Sequence, residues 1–583
     1  MAILSTLAGH SLSGEDAALP GIEDGFRIMR DIETLSSRVR VLLNVGGFRA
    51  SSFRMAAPLD AIVREIVPPD RQCSFHPKLL IFEYDTDDRQ QRTVASDIRM
   101  FVCTRNVTTD DSVDAIVSLR LIERNEVTEN GKRLRGFLQA ALDEVGEDVP
   151  AELSRLLKRL DHVDLEPLHG APSLQGIEFH GQIPGKEALS SLISRSADGV
   201  EERIVVSPFI DKTTLREFAL GGQRRTCLLS EPREIARICA LDAGDAFLRE
   251  NFECYELRRD LDQSFHSLHA KLVLDRTASA TVVTVGSANA TLRAWRGKNW
   301  EAVIRFQARQ GYYNQVFDDL FVDDRAKNGV ALCVRIVPVP EGPAPESAKE
   351  AVANLIARAA LDCTISCHDA ASVTVDLSMI PGDSEFELKR VSFRLFGEMV
   401  DHQACPEMDA WRLSWSVPVA RFSAFLSIAA TFMTGSGEDE IRVNRRLDVD
   451  PALLARRNHG LLSELVQGRG VHEILAAILE GTDLGFSPDF GGDAGSSWTV
   501  KGGAGVSVAS LEALVFLCLN DDPESLAKRS MISDVMKAEF AESPPGTDAE
   551  KIDRHRRLFE AVKKIWAELD RQFPVKARDP WGA

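Results

Sequence analysis

The sequence predicts an α/β fold for residues 1–337, and two observations lead to this prediction. The same order of features occurs twice: an apolar strand, a His-x-Lys motif, a second strand and an Asn-bearing turn, at 40–106 and again at 204–289. In both copies short β-rich runs alternate with segments of helical pattern, such as 58–66 and 215–220. We therefore expect two similar α/β halves packed as a pseudo-twofold pair.

Composition and proline content divide the rest of the chain. We place the first half at 1–130, an inter-half connection of helix and loop at 131–195, and the second half at 196–337. A proline-rich stretch follows at 338–345, and proline stiffens a segment that cannot donate to a β ladder. Alternating apolar and polar runs then predict a small, mostly β domain over 346–450, and the pattern over 451–583 is helical.

The overall composition is that of a globular chain with several domains. Its 583 residues exceed what one hydrophobic core usually supports, and 44% of them are hydrophobic. No apolar run is long enough to span a membrane, and the ten cysteines show no disulfide-framework spacing, so we expect a cytoplasmic protein without membrane contact. The net charge of −19 disfavours a general polyanion-binding surface, although it does not decide local chemistry.

Each half carries a histidine and a lysine two residues apart. The motifs are SFHPKL, with His76 and Lys78, and SLHAKL, with His269 and Lys271. Alternate residues of an extended chain share a face, so each imidazole and its ammonium group point into a common space. A single such pair is usually structural, but two copies in the same context favour a functional interpretation.

A hydroxyl and a carboxamide follow the next strand in both copies. They are Thr104 with Asn106, and Ser287 with Asn289. If a pseudo-twofold axis relates the halves, both sets of side chains meet at one interface.

These groups fit phosphodiester cleavage without a metal. One neutral histidine attacks phosphorus and becomes a phosphohistidine, while the other, protonated, gives its proton to the leaving oxygen. The second histidine then activates water. The lysines and asparagines of the two copies donate to the non-bridging oxygens, where charge concentrates in the transition state. No cofactor is expected.

Two acids are candidates for orienting the histidines. A nucleophilic imidazole needs an acceptor at its far ring nitrogen, which fixes its tautomer and direction. Asp114 follows Asn106 by eight residues and Glu301 follows Asn289 by twelve. We predict that these are the orienting carboxylates.

The paired motifs resemble those of the phospholipase D superfamily over about residues 1–330. The fuller family pattern is HxKxxxxD followed by GSxN, and here the aspartate position falls on Glu83 and on Arg276, with Asp275 one residue early. This departure, together with the GSANATLRAW segment at 286–295, is similar to the tyrosyl-DNA phosphodiesterase branch. The resemblance implies that His76 is the nucleophile and His269 the general acid.

We expect the substrate to be nucleic acid, with DNA favoured over RNA. A groove would be lined by basic residues near the motifs, namely Arg105, Arg293, Arg296 and Lys298. The family precedent also points to bacterial antiviral defence and to an ATPase or helicase partner, which is analogy only. The alternatives are a phospholipase or phosphatidyltransferase, and a non-catalytic binding subunit of a larger complex. One chain holds both halves, so a monomer suffices, and a homo-oligomer stays open.

Overall fold

A computed structural model describes residues 39–457 with internal gaps, the longest at 49–58, together with scattered positions from 475 to 536 and residues 549–574. The described part is a mixed α/β protein with several sheets and a long C-terminal helix. The fold class predicted for the first part of the chain is therefore confirmed at this level. The pseudo-twofold relation and the domain boundaries stay predictions.

The first half contains a parallel pair of strands and a separate antiparallel sheet. The pair is β1 (Val41–Asn44) with β2 (Val63–Ile66). The sheet has the order β3-β4-β6-β7, formed by Leu79–Asp87, Val94–Cys103, Ile116–Glu123 and Val163–Pro167. The short strand β5 (Ser112–Val113) stands apart from it, and helices α1 (Glu129–Asp143) and α2 (Ala151–Leu160) connect β6 to β7.

One predicted helix in this half is wrong. The segment 58–66 ends in strand β2, because Val63, Arg64, Glu65 and Ile66 pair in parallel with β1. The expectation of only helix and loop over 131–195 was also incomplete. That stretch supplies β7 to the first sheet and β8 (Gln175–Gln182) to the second.

The second half is built on an eight-stranded sheet of order β16-β11-β10-β9-β13-β14-β15-β8. Its remaining strands are β9 (Val200–Val206), β10 (Arg225–Leu229), β11 (Glu253–Leu257), β13 (Leu272–Thr277), β14 (Ala280–Gly286), β15 (Glu301–Arg309) and β16 (Cys333–Arg335). The short β12 (Ser267–Leu268) precedes β13. The helices are α3 (Ser190–Ala197), α4 (Lys212–Phe218), α5 (Pro232–Cys239), α6 (Gly244–Asn251), α7 (Leu292–Trp295) and α8 (Gly311–Phe321).

The two sheets share one hydrophobic core and one local plan. Buried residues of both sheets, including Met100, Leu119, Ile204 and Ile304, belong to the same apolar cluster. In each half a His-x-Lys motif precedes the first strand of an antiparallel series, which is β3-β4-β6-β7 in one and β13-β14-β15-β8 in the other. The burial of apolar surface between the sheets thus fixes the positions of the segments that carry both motifs.

The region after the proline-rich stretch is mostly β, as predicted. Helix α9 (Ala348–Ala357) leads into two antiparallel sheets of order β17-β18-β21 and β20-β19-β22-β23. The strands are Ala360–Cys367, Ala370–Ser378, Leu388–Leu395, His402–Ala404, Ala410–Pro418, Phe425–Thr434 and Gly437–Arg446 in chain order from β17 to β23. Alternate residues of β18, such as Val373 and Val375, are fully buried, which is the period of a strand with one face in a core.

The C-terminal region is described only in part. Helix α10 (Ala549–Gln572) agrees with the predicted helical pattern. Most of the helical pattern over 458–548 lies outside the described residues.

Candidate active site

The His76 segment of the first half pairs with the start of β15 in the second half. Phe75 forms a parallel bridge with Trp300, the amide of His76 donates to the Trp300 carbonyl at 3.1 Å, and the amide of Trp300 donates to the Ser74 carbonyl at 2.9 Å. This register places the side chain of Glu301, the residue after Trp300, beside the ring of His76. The first histidine therefore lies against the second half of the chain.

Hydrogen bonds on both ring nitrogens determine the tautomer of His76. Nδ1 lies 3.1 Å from Oε2 of Glu301, and Nε2 lies 2.9 Å from Nζ of Lys78. An ionised carboxylate only accepts, so Nδ1 carries the hydrogen, and Nε2 keeps a lone pair that accepts from the ammonium group. Burial lowers the pKa of His76 below its ordinary value, although the Glu301 carboxylate opposes this shift. The ring is thus held neutral, and Nε2 is the ring nitrogen that carries the lone pair.

Glu301 is fully buried and is itself held by other side chains. Ser287 donates its hydroxyl to Oε2, and Asn299 donates its amide to Oε1 at 3.2 Å. The Ser287 hydroxyl also accepts from the amide of Ala302 at 3.0 Å. Ser287 therefore orients the Glu301 carboxylate in the described structure.

The close packing of β14 against β15 explains why a glycine precedes Ser287. A Cβ at Gly286 would lie 2.2 Å from the carbonyl oxygen of Ala302, which is closer than any real contact allows. Strands β14 and β15 therefore approach each other here only because the position has no side chain. This close approach brings Ser287 within hydrogen-bonding distance of Glu301.

The second motif is held by a corresponding pairing with a segment of the first half. Strand β12 pairs in parallel with β5, and the amides of His269 and Ala270 both donate to the carbonyl of Val113 at 2.8 Å. Asp114 follows Val113 just as Glu301 follows Trp300, so the two predicted carboxylates occupy equivalent places in the pairing. In the structure the Asp114 carboxylate forms an ion pair with Arg105, with 2.8 Å between Oδ2 and Nε.

Lys271 joins the two halves. Its Nζ lies 3.1 Å from Nδ1 of His269 and donates to the carbonyl oxygen of Thr104, in the first half, at 2.9 Å. The charge of Lys78 acts on Lys271, so both lysines, each within hydrogen-bonding distance of its own histidine, lie in one electrostatic environment. Lys271 of the second motif therefore contacts the turn after β4 in the first half.

Burial makes both lysines unusually acidic. Both are buried, and desolvation lowers the pKa of Lys78 to about 8 and that of Lys271 to about 7. The positive charge of Lys78 contributes to the lower pKa of Lys271. An anion bound between the two ammonium groups would offset the cost of desolvating them, because it adds to the negative charge that Glu301 already supplies.

The hydroxyl and amide residues occupy different environments. Thr104 is buried, and its hydroxyl accepts from the amide of Ala115 at 2.8 Å, which holds the turn after β4. Asn106 is exposed at the end of that turn. The carboxamide oxygen of Asn289 is buried and, within the part of the chain that the structure describes, has no hydrogen-bond partner.

The predicted basic groove residues are less available than the sequence implied. Arg105 pairs with Asp114, and Arg296 forms an ion pair with Glu217. Arg293 is exposed and Lys298 is half-buried. Over residues 289–309 the only acid in the sequence is Glu301. In the folded chain Glu217 of α4 also lies there and pairs with Arg296.

Glu83, at the aspartate position of the HxKxxxxD pattern, and Asp275, one residue before it in the second copy, both make structural contacts. Asp275 is buried and accepts two hydrogen bonds from the guanidinium group of Arg203, at 2.5 and 3.0 Å, across the β13–β9 pairing. In the first half Glu83 forms an ion pair with Arg159 on α2. Both acids therefore tie strands to neighbouring elements.

Two residues that hold the His76 segment were not predicted. Asn299 accepts from the amide of Ser74 at 3.1 Å through its side chain, and Asn44 accepts from the amide of Phe75 at 2.8 Å. Asn44 at the end of a predicted apolar strand was the available signal, because a polar residue there lies at a sheet edge where sites form.

Among the described residues, no three His, Cys, Asp or Glu side chains are grouped as metal ligands would be. None of the helices described is both long and apolar enough to cross a membrane.

Comparison with known proteins gives a weak structural similarity. Two crystal structures of mutant forms of yeast tyrosyl-DNA phosphodiesterase 1, a member of the phospholipase D superfamily, each align with 46% of this chain and 76% of their own, at 14% identity and a TM-score of 0.31. No family model and no curated protein matches the sequence. A similarity of this size does not assign the chain to a family, so its function has to be argued from the site.

Proposed function

We propose that this protein is a metal-independent phosphodiesterase, with nucleic acid as substrate and a phosphohistidine as intermediate. The observation that carries the proposal is the environment of His76. One ring nitrogen is bound to a buried carboxylate and the other faces a buried lysine, 2.9 Å away. The second histidine and lysine, His269 and Lys271, are hydrogen-bonded to each other, and Lys271 also donates to the carbonyl of Thr104 in the first half.

In the first step Nε2 of His76 attacks phosphorus. The Nδ1 hydrogen stays on the ring and remains hydrogen-bonded to the Glu301 carboxylate, whose negative charge stabilises the positive charge that develops on the ring. The bond between phosphorus and the leaving oxygen breaks as the P–N bond forms, and protonated His269 transfers its proton to that oxygen. His269 is then neutral.

In the second step His269 acts as the base. It takes a proton from water, the water oxygen attacks phosphorus, and the P–N bond breaks to return neutral His76. Both histidines end in the protonation states in which they began, so no external acid or base is consumed. The two-step route replaces one difficult displacement by two easier ones.

The lysines and asparagines supply the anion-binding part of the site. Without substrate, Lys78 donates to Nε2 of His76, so a bound phosphodiester oxygen must draw this ammonium away before the attack. Lys271 lies on the other side, beside His269. Asn289 has a carboxamide oxygen without a partner among the described residues, so this side chain has hydrogen-bonding capacity left for a ligand.

Nucleic acid is favoured as substrate by the cations beside the second motif. Arg293 is exposed two residues after Thr291 and four after Asn289, on the short helix α7. Lys298 lies in the loop between α7 and β15. A bacterial defence role and an ATPase or helicase partner stay predictions from family analogy.

The experiment is cleavage of single- and double-stranded DNA by the purified protein in excess EDTA. We expect cleavage that is lost in His76→Ala and in His269→Ala, and retained in the control His180→Ala. The control removes another histidine of the second half that also pairs with a glutamate, Glu178, at 3.0 Å. Cleavage of phospholipid vesicles without cleavage of DNA would replace nucleic acid by lipid as the substrate class. If wild-type protein cleaved no phosphodiester, the proposal would be wrong.

A further inference from the structure

We propose that Arg358, a residue of the mostly β domain, is a positioning residue for His76. This inference rests on the proposed role of His76 as the nucleophile. Arg358 follows the last residue of α9 and is half-buried. It lies 282 positions from His76 in the chain, in a region where the sequence contains no chemical motif.

The guanidinium group of Arg358 contacts the turn that leads to the motif. One of its nitrogens donates to the carbonyl of Asp70 at 2.7 Å, and the other donates to the carbonyl of Cys73. The Asp70 carbonyl also accepts from the amide of Cys73 at 2.9 Å, which closes the turn. The planar fork of an arginine is suited to such a pair of acceptors, and it restricts both their spacing and their direction.

From Cys73 to His76, all four backbone amides have a hydrogen-bond partner. Cys73 donates to Asp70 within the turn, Ser74 to the side chain of Asn299, Phe75 to the side chain of Asn44, and His76 to Trp300. These partners belong to the turn itself, the second half and strand β1. Arg358 adds a fourth source, because its guanidinium group donates to the carbonyls of Asp70 and Cys73.

The end of α9 is fixed to the first half, so Arg358 can transmit position. Buried Arg445 of β23 donates to the carbonyl of Ala359 at 2.9 Å. Its Nε lies 3.6 Å from Oε2 of Glu65 in β2. Glu65 in turn accepts from the amides of Arg446, at 2.9 Å, and Gly46, at 3.0 Å. The β domain and the β1–β2 pair are therefore tied together by buried polar contacts.

Gly46 shows how closely these elements pack. It has a φ of +71°, and a Cβ there would lie 2.6 Å from the Cβ of Ala357. Only glycine adopts this positive φ at low cost and also leaves room for the Cβ of Ala357. The turn after β1, the end of α9 and the turn before His76 thus form one packed unit, and the β domain is part of the active-site framework.

The test compares Arg358→Ala and Arg358→Lys with a matched control, Lys349→Ala. Lys349 lies at the other end of α9 and pairs with Asp439 of the same β domain at 2.8 Å, without touching the first half. We expect Arg358→Ala to lower kcat for DNA cleavage about 10- to 100-fold with little change in KM, since a displaced nucleophile loses rate more than binding. Arg358→Lys keeps the charge but not the planar guanidinium group, so it should retain only part of the wild-type kcat. Millimolar guanidinium should partly restore kcat to Arg358→Ala.

A second readout does not depend on activity. Amide hydrogen exchange over 73–76 should rise at least about 10-fold in Arg358→Ala and stay unchanged in Lys349→Ala. If the wild-type protein cleaved no phosphodiester, this exchange comparison would still decide whether Arg358 holds the segment. Unchanged exchange and kcat in Arg358→Ala, or an equal loss in the control variant, would overturn the proposal. If Arg358→Ala does not fold, the same two readouts on Arg358→Lys decide it.

Discussion

Nδ1 of His76 and Oε2 of Glu301 lie 3.1 Å apart, although the two residues are separated by 225 positions in the chain. The contact crosses from the first half to the second. The carboxylate that orients His76 is therefore supplied by the opposite half of the chain.

Replacing Glu301 by glutamine should lower kcat about 10²- to 10⁴-fold, because an amide no longer fixes the tautomer that exposes Nε2. It should also shift the acid limb of the pH profile of kcat/KM to lower pH. The Glu301 charge raises the pKa of His76 against the effect of burial, so its removal lowers that pKa further. Glu178→Gln, which alters the His180 pair, is the control and should change neither quantity. A Glu301→Gln enzyme with wild-type kcat would show that this contact is not used.

Activity should fall as the pH rises through about 7 to 8. The pKa of Lys271 is lowered to about 7 and that of Lys78 to about 8, so the free enzyme loses its two anion-binding charges in this range. Activity falls with rising pH because each lysine binds an anion only while it is protonated. The measurement is kcat/KM from pH 5 to 9 in buffers of constant ionic strength, because this ratio reports the free enzyme. A profile that stays level to pH 9 would contradict the prediction.

Arg293→Ala should weaken DNA binding and reduce the slope of log Kd against log salt by about 1, as expected for the loss of one phosphate contact. Arg296→Ala should have a smaller effect, because the Arg296 guanidinium is already paired with Glu217. Fluorescence anisotropy of a labelled oligonucleotide across a salt series, with catalytically inactive His76→Ala protein, measures both slopes. Equal slopes for the two variants would rule out this distinction.

Arg203→Ala should destabilise the second half by about 3–5 kcal/mol, because it leaves the buried Asp275 carboxylate without its partner. Arg412→Ala is the matched control, since Arg412 is exposed and lies 3.7 Å from Asp376. Its loss should leave the unfolding midpoint unchanged within error. Urea unfolding followed by tryptophan fluorescence compares the two variants. A Arg203→Ala protein as stable as wild type would show that the Arg203–Asp275 pair contributes nothing net.

The groups that we place at the centre of the proposed site were all predicted from the sequence. Two copies of His-x-Lys, each followed by a strand and an asparagine, predicted that the motifs work together, and Lys271 does contact Thr104 of the other half. The sequence was not sufficient to say which carboxylate faces which histidine. That depends on the pairing of Phe75 with Trp300 and of β12 with β5, which only the packed halves define.

Errors in the predicted fold have a similar origin. The 58–66 segment begins with proline and has a mixed polar and apolar pattern, which favours a helix locally, but pairing with β1 makes its end a strand. Arg358 shows the same limit for function. Nothing in its local sequence distinguishes it from other surface arginines, and its contact with the turn before His76 appears only when the β domain is packed on the first half.

The central claim is that His76 is the nucleophile and His269 its acid and base, acting on one phosphorus atom. The most direct measurement uses His269→Ala protein and a nucleotide p-nitrophenyl phosphodiester, whose leaving group departs without an acid. After a rapid quench at alkaline pH, peptide mass spectrometry locates the label. We predict a nucleotidyl phosphoryl group on His76 that accumulates because no base activates water, and none in His76→Ala. Release of p-nitrophenol with no adduct on His76, or with the adduct on another residue, would contradict the account.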